Sequence, residues 1–251
     1  MDETKKEKSK KETNPRSNKI KNSSLKIKET NTSNNNSNED TIFILKRISK
    51  DSDNRIYIEK NRKSKYYRWL TDFKFDEYDL EGFNGIYGAL KEKAAIIRKF
   101  KTYDLPKECL PLYQYKNNYY LYAPCDLGNS NKRIISDSLL IYSYIDGPYP
   151  YVITSLEKIN QNTYKIESKD YFDNSDIIIK PEELYIHIID KKNKIAVWEY
   201  KSENNEDSFF RLFIAKEKAK KYDIIVNYCD KMKALEFDFD TINFQKLIGK
   251  K

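Results

Sequence analysis

The sequence predicts an α+β fold: a single domain over residues 42–251 with a largely antiparallel sheet and few helices, preceded by a disordered basic tail over residues 1–41. Three observations carry that expectation. Aromatic residues make up 14% of the 251-residue chain, 21 of them Tyr and 12 Phe, a bias toward pleated, half-buried surface. Apolar stretches of strand length follow one another with turn residues between them, and only one long segment has helical spacing. The first 41 residues hold four apolar side chains, Met1, Ile20, Leu25 and Ile27. That is too few to offset an ordering cost of about 1–2 kcal/mol per residue.

The elements follow in order. Residues 42–48 and 55–59 flank Asp51, Ser52, Asp53 and Asn54, a hairpin turn. Ile86, Leu90, Ala94 and Ile97 recur on one face and predict a helix over 86–100, which Pro106 follows. Gly82, Gly85 and Gly88 at its entry are read as close backbone packing. Residues 112–115 and 119–123 form a second hairpin around Asn117 and Asn118, and 132–136 and 139–145 are the next strands. Pro148 and Pro150 fix φ and lack donors, so residues 146–150 are expected to interrupt regular structure. Strands then run over 151–155, 163–167, 177–180, 184–189, 195–200, 210–215 and 224–228. Short helices fall at 216–221 and, between Thr241 and Gly249, at 242–248. Consecutive strands without intervening helices imply antiparallel pairing.

Composition removes several functions. The 47 Lys and Arg exceed 39 Asp and Glu by +8. No run reaches the roughly 18 apolar residues that span a bilayer, and no apolar segment follows the first residues, so no membrane partner and a cytoplasmic location are expected. Three cysteines, an odd and sparse set, argue for a reducing compartment and against a disulfide framework. His187 is the single histidine and excludes any site needing two. It lies in an apolar run and is read as a satisfied structural histidine. No phosphate loop or dinucleotide fingerprint occurs, and no resident cofactor is expected.

Three segments carry chemistry. The first, 180–202, places Glu182 and Glu183 before one strand and Glu199 and Lys201 at the end of the next. Alternation sets Glu199 and Lys201 on one face with Ile195 and Val197. This hairpin resembles the core of restriction-like PD-(D/E)xK nucleases. The resemblance implies Glu182 or Glu183 with Glu199 as ligands of magnesium or manganese, and Lys201 as the residue positioning the attacking water. A two-residue turn would align Glu182 with Glu199, and a five-residue loop Glu183. The second segment, Lys60, Arg62, Lys63, Lys65 and Arg68, sets five cations in nine residues, interleaved with Tyr66, Tyr67 and Trp69. Cations meet phosphates and rings stack on bases, which makes this a nucleic-acid alternative.

The third is aromatic. Nine Tyr lie between positions 113 and 151. Tyr120, Tyr122, Tyr144, Tyr149 and Tyr151, framed by Asp146 and its proline-rich loop, are expected to build one amphipathic recognition face for a protein partner. The leading expectation is therefore a binding module without enzymatic activity, toxin-neutralising or accessory in role. The metal-dependent nuclease and the nucleic-acid binder are the alternatives.

Overall fold

A computed structural model describes residues 41–48, 53–93, 97–125, 131–144, 146–169, 182–201, 208–230 and 236–249. All belong to one structural unit, Asn34–Lys251. The expected tail up to residue 40 and the expected strand 177–180 lie outside the described residues.

Strands dominate, and the α+β expectation is corrected: eight of them close into an antiparallel barrel. In chain order the elements are β1 Thr41–Ile48, β2 Asp53–Glu59, α1 Lys65–Thr71, α2 Glu77–Lys93, β3 Glu108–Tyr115, β4 Asn118–Ala123, β5 Arg133–Ile135 and β6 Leu139–Tyr144. They continue with β7 Gly147–Lys158, β8 Thr163–Lys169, β9 Glu182–Asp190, β10 Ile195–Lys201, β11 Ser208–Ala215, a 3-10 turn Lys216–Lys221, β12 Ile224–Asp230 and α3 Phe244–Leu247. β5 to β11 pair each with the next, and β3 joins β11 to β5. The closing ladder is short, Glu108↔Ile134 and Cys109↔Arg133. Closure removes the sheet edges that an open sheet would expose.

β3 branches. Its first half bonds β5, while Tyr113–Tyr115 bond β4, which starts a side sheet ordered β4, β12, β2, β1. There β4 and β12 run parallel, with Ala123 opposite Val226. This brings Cys125 and Cys229 together, and they are bridged, Cα atoms 5.5 Å apart across 104 residues. The expectation of an unbridged set is thus overturned, and the cysteine count carries no argument for a reducing compartment. Cys109 alone is free and buried.

The alternation along each strand sorts side chains inside and out. Inside the barrel, Leu105, Cys109, Ile135, Leu140, Tyr142, Ile153, Leu156, Tyr164, Ile166, Leu184, Ile186, Ala196, Trp198 and Phe213 form one cluster. Outside, Val197, Leu212 and Ile214 pack with Tyr66, Tyr67 and Leu70 of α1 and with Leu121, Ile224 and Val226 of the side sheet. α2 lies on the β6–β7 wall, with Leu90 against Leu139, Ile141 and Val152.

Three local expectations change. The helix begins nine residues before its expected start, because Asp76 Oδ1 accepts the Asp79 N–H at 2.8 Å and opens α2 there. Its glycines 82, 85 and 88 have no neighbour where a Cβ would stand, so close packing does not explain them. The prolines do not interrupt the chain: Pro148 and Pro150 lie inside β7, opposite Ser143 and Ile141. Among the described residues β8 pairs with β7 only from Val152 onward, so the missing donors fall where β7 is bonded to β6. Asp146 lies in a turn before β7, and Gly147 takes the φ of +110° that leads into the strand.

Candidate functional site: the cation–tyrosine end of the barrel

The two ends of the barrel are distinct. The lower end carries the turns at 136–138, 159–162 and 191–194. The upper end carries Tyr144, Gly147, Glu182, Lys201 and Ser208. On four strands the inner face passes from apolar residues below to cations and aromatic rings above. On β5, Ile135 is followed upward by Arg133; on β11, Phe213 by Arg211 and Phe209; on β10, Trp198 by Tyr200; on β6, Leu140 by Tyr142 and Tyr144. Tyr149 and Tyr151 of β7 face the same way, opposite Tyr142 and Leu140.

Arg133 is the centre of this end. It is 5% exposed. Its guanidinium lies 4.2 Å from the Tyr142 ring centroid, 5.9 Å from Phe213 and 6.0 Å from Tyr144. Nη1 donates to the Lys132 carbonyl at 2.9 Å. Arg211 Nη1 is buried and has no hydrogen-bond partner among the described residues, and the buried Tyr200 hydroxyl lies beside the Arg133 guanidinium, which acts on it. Burial pushes the Tyr200 phenol up, and Arg133 and Arg211 pull it back. Burial likewise raises Tyr142 well above the ordinary range and raises Tyr113, with Arg211 and Arg133 opposing. Phenols and guanidiniums here share one poorly solvated space.

The rings form a continuous set. Tyr142 and Tyr144 stack at 6.0 Å and 10°, Tyr142 and Tyr151 lie 4.8 Å apart, Tyr149 and Tyr151 5.9 Å, and Tyr144 meets Tyr149 edge-on at 6.2 Å. The set runs from Tyr142, 5% exposed, to Tyr144, 42% exposed. The sequence reading placed Tyr144, Tyr149 and Tyr151 together, with the exposed Asp146 beside them. It also grouped Tyr120 and Tyr122 with these, and the structure separates them. Tyr122 is buried in the side sheet's cluster with Ile56 and Ile225, where Tyr120 and Phe239 pack too. Its hydroxyl donates to Glu236 at 2.8 Å and accepts from Asn227 at 3.2 Å.

The nuclease-like hairpin forms on the outer wall. Lys201 opposes Glu183, so Glu183 and not Glu182 shares the Glu199 face. Glu199 is 1% exposed. His187 Nε2 is 2.8 Å from one of its oxygens, and Lys201 Nζ is 2.7 Å from the other, which also accepts from Ser208 Oγ at 3.3 Å. His187 Nδ1 meets Thr163 Oγ1 at 3.4 Å. Glu183 binds Lys165 at 2.9 Å, which holds its carboxyl below the usual range. The two carboxylates are thus drawn to cations. Sequence reading missed the pairing of His187 with Glu199, although both lie at outward positions two residues out of register across adjacent strands.

The basic segment turns its rings inward. Tyr66 and Tyr67 are core residues of α1, capped by Ser64, whose Oγ accepts the Tyr67 N–H at 3.3 Å. Arg62 pairs with Asp223 at 2.7 Å and lies over the Tyr67 ring at 5.0 Å. Trp69 sits under Lys132 at 4.9 Å. Lys60, Lys63, Lys65 and Arg68 remain exposed, without the interleaved rings that stacking on bases requires.

No described helix is long and apolar enough to cross a membrane. No family model, no curated protein and no solved structure matches the chain.

Proposed function

We propose that the protein is a non-enzymatic binding module that grips a protein partner at the upper end of its barrel through Tyr144, Tyr149 and Tyr151. The observation that supports this is the ring set that climbs from buried Tyr142 on Arg133 to Tyr144 at the lip, where 42% of the residue is accessible. Such rings are positioned before a partner arrives. They offer large contact area and lose little side-chain freedom on binding. The prolines of β7 add to this, since Pro148 and Pro150 fix the backbone on either side of Tyr149.

Capture from the native source compares the full chain with Tyr144→Ala, Tyr149→Ala and the double reversal Lys63→Glu, Lys65→Glu. A protein retained by the wild type and by the charge reversal is expected to be lost from the Tyr variants. Each Tyr variant costs about 1–3 kcal/mol of binding. Equal recovery with the Tyr variants overturns the proposal. Recovery of nucleic acid that the charge reversal abolishes shifts the function to the basic segment.

A further inference from the structure

We propose that the cavity between β3 and β11 is a binding site for a small organic acid, an aromatic or apolar body bearing one carboxylate. The cavity follows from the branching of β3. The ladder between the two strands runs only from Leu212↔Leu112 to Ala215↔Cys109. Above Leu112, β3 leaves to pair with β4. β11 continues upward as Phe209, Phe210 and Arg211, and the gap left between the strands is roofed by the segment after the side sheet. Asp240 N donates to the Gln114 carbonyl at 2.8 Å, Phe239 stacks on Tyr113 at 4.5 Å, and Phe244 stacks on Phe210 at 5.7 Å. The volume of this partly open cavity is about 350 Å³, within the range of small-molecule sites.

The lining defines the ligand. Tyr113, Phe209, Phe210, Phe239 and Phe244 give aromatic walls, and Arg211 is the cation that lines them. Arg211 lies over the Phe209 ring at 5.1 Å, and its Nη1 is buried with no hydrogen-bond partner among the described residues. A guanidinium donor left unsatisfied in an aromatic wall is costly, and a carboxylate is the group whose two oxygens fit it. Arg133 adds positive potential from the same side, since both arginines act on Tyr113 and Tyr200. The acids nearby are directed elsewhere. Asp240 accepts the Asn117 N–H at 3.1 Å, and Glu236 accepts the Tyr122 hydroxyl at 2.8 Å.

The site does not depend on the partner proposal, and its test uses the purified full chain alone. Calorimetric titration compares 2-naphthoate with its uncharged counterpart, 2-naphthalenemethanol. The naphthoate is expected to bind one-to-one and about ten-fold more tightly than the alcohol, the worth of one charge-assisted hydrogen bond. Arg211→Gln is expected to erase that preference. Thr241→Trp, at an exposed roof position, fills the cavity and is expected to abolish binding of both, which keeps the test valid should Arg211→Gln fail to fold. Equal affinity for the two compounds, no saturable binding of naphthoate up to about 1 mM, or a preference that survives Arg211→Gln overturns the proposal. Tyr144→Ala is expected to leave the titration unchanged, so failure here and failure of partner capture are read separately.

Discussion

At its lower end the barrel is stoppered: Leu105 and Phe100, from the segment before β3, pack onto Ile135, Ile186, Ala196 and Phe213, and the space between them is too narrow for a water. At its upper end the same strands present Arg133, Arg211, Tyr142, Tyr144 and Tyr200 on the same inner face. The ends differ in side-chain chemistry along the same strands and in backbone where β3 leaves β11 above Leu112 to pair with β4. Apolar filling maximises stability and leaves nothing to offer a ligand. A cation with an unpaired donor among stacked phenols costs stability, and such a group persists where something is bound. On the proposed function, the lower end serves stability and the upper end recognition.

Substitutions at the two ends test this contrast. The largest effect is expected below. Leu105→Ala removes a side chain from a dry, packed end and is expected to cost about 2–5 kcal/mol, seen as a lower Tm, with partner and naphthoate binding intact in the folded fraction. A cost no larger than that of Tyr144→Ala would erase the distinction between the ends.

The next effect concerns Lys132, the outward neighbour of Arg133. Its Nζ donates to the carbonyls of Trp69 and Asp72 at 2.8 and 2.7 Å, at the C-terminal end of α1. Burial lowers its pKa to about 8. Below pH 8 the folded and unfolded chains both hold the proton. Between pH 8 and the ordinary value of about 10.4, the unfolded chain binds it and the folded chain does not, so stability rises with pH across that window, by up to about 1.4 kcal/mol per pH unit. Lys132→Met is expected to remove this rise in chemical denaturation series. A rise that persists in the variant assigns it to another group.

The smallest stability effect belongs to the lip. Tyr144→Ala is expected to stay within about 0.5 kcal/mol of the wild type, because the ring is 42% exposed. A larger cost would make the ring column a structural device.

Strands were legible where one wall is buried and the other is not, as in β8, where Tyr164, Ile166 and Ser168 are buried and Lys165 and Glu167 are not. Barrel closure was not, since it rests on two residue pairs joining β3 to a three-residue β5. α1 was hidden by its charges: only Tyr66, Tyr67 and Leu70 face inward, and the signal that marked it was Ser64 three residues before Tyr67. The bridge of Cys125 to Cys229 depends on a parallel pairing of strands about a hundred residues apart, which cysteine counting does not reveal. Tyr149 and Tyr151 were legible by number and spacing. Arg133 and Arg211 form no motif, and their one sequence signal is a lone cation at an inward position of an apolar strand, as in Phe209, Phe210, Arg211, Leu212 and Phe213.

The claim that recognition belongs to the upper end is tested most directly by site-specific photo-crosslinking. Benzoylphenylalanine replaces Tyr144 at the upper lip in one sample and Ile159, 50% exposed at the lower turn, in another. Each full-length variant is irradiated in the extract of the native source. The account predicts a discrete protein adduct at position 144 and none at 159. An adduct at 159 of equal or greater yield than at 144, or no adduct at 144, would contradict it.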